Sequence, residues 1–152
     1  MEVILNSKLF YFQTSNESNV DLWILSRLAH TIDTCNKAFA TYEFAQATNA
    51  CYSFWLYDLC DNYLECLKPI FASEDEIKKS AARKVLYTCL DLGLRLLSPF
   101  MPFISEELFQ RLPRSNLDIP SICVAPYPGK LQFVVVGSDI LIVSIYYRTR
   151  TI

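Results

Sequence analysis

Apolar residues recur at steps of three and four from the 20s of the chain onward: Leu22, Leu25, Leu28, Ile32, Cys35 and Phe39. That spacing draws one stripe along a helix of about 20 residues. Asp21 is its candidate N-cap, and Lys37 lies in its last turns, where a cation suits the helix dipole. A second helical pattern covers 43–68 and carries two stripes. One is Phe44, Ala47, Cys51 and Phe54; the other is Tyr52, Leu56, Leu59, Tyr63 and Leu67. A helix apolar on two sides is expected to pack on two sides, in a central position. Pro69 is predicted to end it. Ser73-Glu74-Asp75-Glu76 then reads as a capping box built on the Ser73 hydroxyl and the Glu76 carboxylate. The third helix is predicted to reach Leu97, on the stripe Ile77, Ala81, Val85, Cys89, Leu92 and Leu96.

The run "LLSPFMPFISEEL" (96–108) places two prolines three residues apart. A residue before proline avoids helical conformation, so Pro99 is expected to push Ser98 out of the helix. Pro102 suits the first turn of a new helix. "SPFMP" therefore predicts a corner between the third helix and a short fourth one ending near Leu112. Phe100, Met101, Phe103 and Ile104 are too apolar for an exposed loop, so the corner is expected to be buried. After Pro113, "SICVAPYP" reads as extended chain. The Val, Ile and Tyr content beyond Gly129 predicts a strand or hairpin around Gly137-Ser138. The expected fold class is all-α: a bundle of about four helices with a short extended or β-like C-terminal tail.

Composition agrees with this. A chain of 152 residues suits one domain with a real core, and three glycines leave little room for many short strands. Fourteen basic residues against sixteen acidic ones give a net charge of −2, unlike a strongly basic stand-alone nucleic-acid binder. Any contact with nucleic acid must be local, or be completed by another part of a larger protein. Six cysteines occur without a CxxC pair, and the single histidine, His30, completes no ligand set. They are expected to be reduced thiols packed as small hydrophobes in a reducing compartment, with no metal site. "MEVILNSKLFYFQ" has no basic n-region and no small-residue cleavage site, so it does not read as a signal peptide. The tail's apolar runs are too short to span a membrane.

Two charged groups have open readings. Asp58, Asp61 and Glu65 continue the first stripe of the second helix. They could anchor arginines of neighbouring helices, with Arg27 and Arg95 as partners, line a solvated face, or form the carboxylate site of a helical enzyme. A metal would need more converging ligands. Any of the three that is buried needs a paired charge or hydrogen bonds. Lys78, Lys79, Arg83 and Lys84 form a dense basic cluster on the third helix, either a solvated face or a patch that contacts phosphates.

Three blocks carry a specific resemblance. "DLWILSRL" (21–28), "YSFWLYDLCDNYLECLKP" (52–69) and "LYTCLDLGLRLLSPFMPFISEELFQRLP" (86–113) resemble the anticodon-binding domain of class I aminoacyl-tRNA synthetases. They are most similar to the eukaryotic cytosolic valine-specific enzymes. The isoleucine and leucine enzymes share the looser pattern of an early W-x-x-S-R, a CD-x-YLE and a PFMPF-x-x-EEL. The resemblance covers about 21–128, leaving 1–20 poorly matched and 129–152 as a tail unlike the family. An abrupt change of that kind suggests a fragment or truncated isoform.

The resemblance implies a helical bundle that holds the anticodon stem and loop of a valine-accepting tRNA in the cytoplasm, without a membrane and beside the rest of the synthetase. Its candidate tRNA-contacting cations are Lys37, Lys78, Lys79, Arg83, Lys84, Arg111 and Arg114. ATP and magnesium belong to the full-length family. The HIGH-like and KMSKS-like nucleotide signatures are absent from this sequence, so the chain alone is expected to be inactive and to carry no cofactor. The alternative, favoured by the net charge of −2, is a helical scaffold that keeps the bundle but binds no RNA.

Overall fold

The computed structural model describes residues 17–113, 119–129, 131–136 and 139–144. Among the described residues, four helical rods make up the bundle. The first is α1 (Asn19–Ala40). The second is continuous and comprises α2 (Phe44–Ser53), a π-helical segment (Phe54–Tyr63) and α3 (Leu64–Ala72). The third is α4 (Glu76–Leu97) and the fourth α5 (Pro102–Arg111). A 3₁₀ turn, Ile122–Val124, lies in the described stretch 119–129. Two strands follow, β1 (Leu131–Val136) and β2 (Asp139–Ser144), paired antiparallel with Val136 opposite Asp139. The turn expected around Gly137-Ser138 lies outside the described residues. The backbone of β1 runs beside α1.

The core is one cluster drawn from the first three rods. Ile24, Leu25, Leu28, Ile32 and Cys35 come from α1; Ala47, Cys51, Phe54, Leu59, Tyr63 and Leu67 from the second rod; Val85, Cys89, Leu92 and Leu96 from α4. A smaller cluster of Leu94, Phe109 and Ile122 seats α5 on α4. The Glu106 carboxylate accepts from the Ile122 backbone N–H at 2.7 Å and from the Ser121 hydroxyl at 3.0 Å, which clips the extended stretch onto α5. Gly93 leaves room for the Trp55 ring, which a Cβ would meet at 3.1 Å, and the Trp55 indole N–H donates to the Gly93 carbonyl at 3.3 Å.

The second rod departs from the expected two-sided helix. Tyr52 and Leu56 are exposed, and the buried residues form one line: Ala47, Cys51, Phe54, Asp58, Leu59, Tyr63 and Leu67. At 3.6 residues per turn, Tyr63 would sit about 160° around the helix from Ala47. The wider turns of the π segment absorb that offset and merge the lower half of the second stripe with the first. The Asn62 side chain donates to the Tyr57 carbonyl at 2.7 Å, satisfying a backbone acceptor inside the widened stretch. Pro69 lies within α3 and does not end it.

The caps also differ. Ser18 caps α1, with Asp21 three residues on as its reciprocal partner in a capping box. Asp75 caps α4 by accepting from the backbone N–H groups of Ile77 and Lys78, while the Ser73 hydroxyl donates to the Ile70 carbonyl. At the proline corner Ser98 keeps helical dihedrals, and Met101 is the residue turned out of helical conformation before Pro102. The corner is buried only in part: Phe100 is half-buried against the main cluster, whereas Met101, Phe103 and Ile104 are 52%, 90% and 45% exposed. Of the cysteines, Cys35, Cys51 and Cys89 are buried as expected of small hydrophobes, whereas Cys60, Cys66 and Cys123 are exposed.

Candidate nucleic-acid interface

Long-range contacts fix which helix ends lie together. The Tyr63 hydroxyl donates to Asp21 at 2.5 Å, and the Cys35 and Cys51 sulfurs lie 3.6 Å apart, so the second rod runs antiparallel to α1. The Cys51 thiol donates to the Leu96 carbonyl, so α4 runs antiparallel to the second rod and parallel to α1. One end of the bundle therefore gathers the start of α1, the end of α3 and the start of α4. The other gathers the end of α1, the start of α2, the end of α4 and the proline corner. The 22 residues of α4 separate the two ends by about 33 Å.

This geometry divides the sequence-derived cations. Lys78, Lys79, Arg83 and Lys84 all lie on the first turns of α4, at the first end. Lys37 lies at the opposite end, on the last turn of α1, paired with Asp33 at 2.6 Å. Arg111 sits on α5, paired with Glu107 one turn earlier. Arg114 lies outside the described residues. The α4 cations have carboxylate neighbours too: Lys78 with Asp75 at 3.2 Å, Lys79 with Glu76 at 2.9 Å and Arg83 with Glu76 at 3.5 Å. Backbone donors from Lys78 hold the Asp75 carboxyl below its ordinary value, and the Lys79 ammonium does the same for Glu76. The Lys84 charge reaches Glu17, whose carboxyl is nevertheless pushed up, first by burial and then by Asp21. The Lys78 and Arg83 side chains are exposed, and exposed pairs contribute little, so a phosphate can take the place of their carboxylates; the Lys79 side chain is 15% exposed and largely covered. Phe71 in the last turns of α3 and Ile77 in the first turn of α4 stand beside the cluster, 38% and 63% exposed.

The three carboxylates of the second rod do not share a face. The π segment turns Asp58 inward, where the Arg27 guanidinium donates to it at 2.9 Å, and leaves Asp61 and Glu65 exposed. Glu65 pairs with Lys68 at 2.6 Å on its own helix. Arg95, expected to reach across to one of these acids, instead donates twice to Asp91 one turn earlier, and both are about 5% exposed. Burial pushes the Asp91 carboxyl above its ordinary value even though the Arg95 guanidinium pulls it down. The guanidinium also lies 5.7 Å from the centre of the Phe109 ring. Sequence reasoning missed the Asp91–Arg95 pair, although its i, i+4 spacing within α4 was the available signal. Among the described residues no group of histidines, cysteines and carboxylates is placed to hold a metal ion. Among them, too, no helix is long and apolar enough to cross a membrane.

The sequence model of the family described as "Anticodon-binding domain of tRNA ligase" matches residues 21–148. A valine–tRNA ligase of Rattus norvegicus is 60% identical over 114 residues, which cover 74% of this chain and 9% of that relative. The Homo sapiens valine–tRNA ligase is 59% identical over the same shares. A mitochondrial valine–tRNA ligase of Sus scrofa is 50% identical over 114 residues, 74% of this chain and 10% of the relative. The chain thus spans about a tenth of the length of the relatives it matches. It belongs to the anticodon-binding domain family of tRNA ligases, in the form that valine–tRNA ligases carry.

Proposed function

We propose that this chain holds the anticodon stem and loop of a valine-accepting tRNA, with the start of α4 against the RNA backbone, and that it contributes binding to tRNA aminoacylation. The observation that carries this reading is the convergence of Lys78, Lys79, Arg83 and Lys84 at one end of the bundle, beside the exposed Phe71 ring. Cations supply the sequence-independent attraction to phosphates. An exposed ring beside them suits the unstacked bases of a loop. Lys37 and Arg111 lie elsewhere on the bundle and take no part in this surface.

The four cations have four carboxylates around them, Glu17, Glu74, Asp75 and Glu76, leaving a local balance of 4 − 4 = 0. The isolated domain is therefore expected to bind RNA weakly and to depend on the rest of a ligase for affinity. NMR shift mapping with a valine anticodon stem–loop tests the assignment. Shifts are expected at the start of α4 and the last turn of α3. Shifts confined to other surfaces, or none at saturating RNA, refute it. The second outcome favours the scaffold reading, which the local pairing of these cations supports.

A further inference from the structure

The inner faces of α1 and α2 meet at a pair of thiols. Cys35 and Cys51 are 16 residues apart in sequence, yet their sulfurs lie 3.6 Å apart and both residues are buried. Each sulfur also sits 3.7 Å from a backbone carbonyl, Cys35 from that of Ala47 and Cys51 from that of Leu96. The Tyr127 hydroxyl is a third polar group at this place. It is buried and forms no hydrogen bond among the described residues. A buried hydroxyl in that state is costly in a purely apolar core. Its effect falls on Cys35. The Cys51 thiol first, and then the Tyr127 hydroxyl, pull the Cys35 thiol below its ordinary value against the opposing effect of burial. The contact with Cys35 pushes the Cys51 thiol well above its own. Cys89, a buried cysteine outside the pair, is pushed up, first by burial.

We infer that Cys35 and Cys51 form a redox switch, a dithiol that a hydroperoxide converts to a disulfide joining α1 to α2, with the Tyr127 hydroxyl as the partner of the attacking sulfur. Cys35 gives up its proton first, and its thiolate offers Tyr127 the acceptor that the hydroxyl lacks. That thiolate attacks one peroxide oxygen. The S–O bond forms, the O–O bond breaks, and the released hydroxide leaves as water with the proton that Cys35 gave up. The Cys51 sulfur then attacks the sulfur of the Cys35 sulfenic acid. The S–S bond forms, the S–O bond breaks, and the hydroxyl leaves as water with the Cys51 proton. The two thiols lose two electrons in all, and the peroxide takes them. A disulfide holds its sulfurs about 2.05 Å apart, so the 3.6 Å contact must close by roughly 1.5 Å. The oxidant enters from the side of Tyr127. The Tyr127 ring packs on the core from the stretch 125–129, which the Asn36 side chain holds by donating to the Pro128 carbonyl at 3.0 Å. A stretch without helix or strand opens locally at less cost than the helices beneath it. The switch belongs to the fold and does not depend on RNA binding.

Titration of the whole chain with hydrogen peroxide under native conditions tests this. Remaining thiols are then blocked with N-ethylmaleimide in denaturant, and the peptides are read by mass spectrometry. A peptide linking Cys35 to Cys51 is expected in about tenfold excess over any other pairing, because the fold already holds these two sulfurs in contact. Dithiothreitol should restore both thiols. The oxidised chain should melt roughly 10 °C above the reduced one, because the bond restricts the unfolded chain. Tyr127→Phe keeps the ring and should slow bond formation about threefold, since a higher thiol pKa leaves less thiolate. Recovery of Cys35 and Cys51 as blocked thiols, after the exposed Cys60, Cys66 and Cys123 have been oxidised, overturns the proposal. So does arrest of Cys35 at sulfinic acid without a link. A linked chain that melts below the reduced one overturns it as well, because native packing would then reject the bond. An unchanged rate in Tyr127→Phe overturns the part given to the hydroxyl.

Discussion

Asp21 is nearly fully buried, yet each of its oxygens has a partner: Ser18 on one side and the Tyr63 hydroxyl on the other. Replacing Tyr63 by Phe removes one donor from a buried carboxylate. Chemical denaturation should show a loss of about 1–3 kcal/mol. An unchanged midpoint would mean that Ser18 alone satisfies the acid. The Asp91–Arg95 pair makes a sharper demand. Asp91→Asn or Arg95→Met leaves one buried charge without its partner and should cost about 3–5 kcal/mol, whereas the combined Asp91→Leu/Arg95→Met variant should recover most of that loss. If the double variant is as unstable as the singles, the pair contributes more than mutual neutralisation. The need for partners was readable at this scale, because an acid on an apolar stripe cannot be buried alone. Which of the three acids is buried and paired was not: Arg27 holds Asp58, while Asp61 and Glu65 stay exposed, because the helix between them does not keep one period.

The rods and their order follow from hydrophobic period, but the winding of the second rod does not. Each half of 44–72 is a valid α-helical stripe, and a register shift from π turns leaves no local mark. It becomes visible in three dimensions, where Tyr63 and Ala47 share a face. Caps were missed for a related reason. Ser18 and Asp21, like Ser73 and Asp75, are all competent capping residues, and the choice depends on where packing starts the helix. Ser18→Ala should lower stability by about 1 kcal/mol, measured by thermal or chemical unfolding. The hairpin is joined to the bundle through Pro128, whose carbonyl accepts from the Asn36 side chain at 3.0 Å. Deleting 131–152 keeps that bond and should leave the helical circular dichroism and a cooperative melt intact. Loss of cooperativity would place the hairpin within the folding unit and move the domain boundary past Pro128.

Across the described residues the two ends differ in chemistry: a cluster of cations and a ring at one, exposed aromatic and aliphatic side chains with few charges at the other. The exposed part of the corner was misread as buried because apolarity in a sequence signals burial without saying against what. Both nucleotide signatures of the synthetase family are absent from the 152 residues, so the chain should show no valine-dependent exchange of pyrophosphate into ATP. Exchange above background in a preparation free of host synthetase would contradict this. The most direct measurement of RNA binding is the titration of a labelled valine anticodon stem–loop at two salt concentrations. It compares the native chain with a variant carrying alanine at 78, 79, 83 and 84. Native binding should weaken steeply with salt, and the variant's log–log salt slope should be smaller in magnitude by about 3, the contribution of four lost phosphate contacts. Identical affinity and identical slope for the two proteins would show that the start of α4 does not contact the RNA.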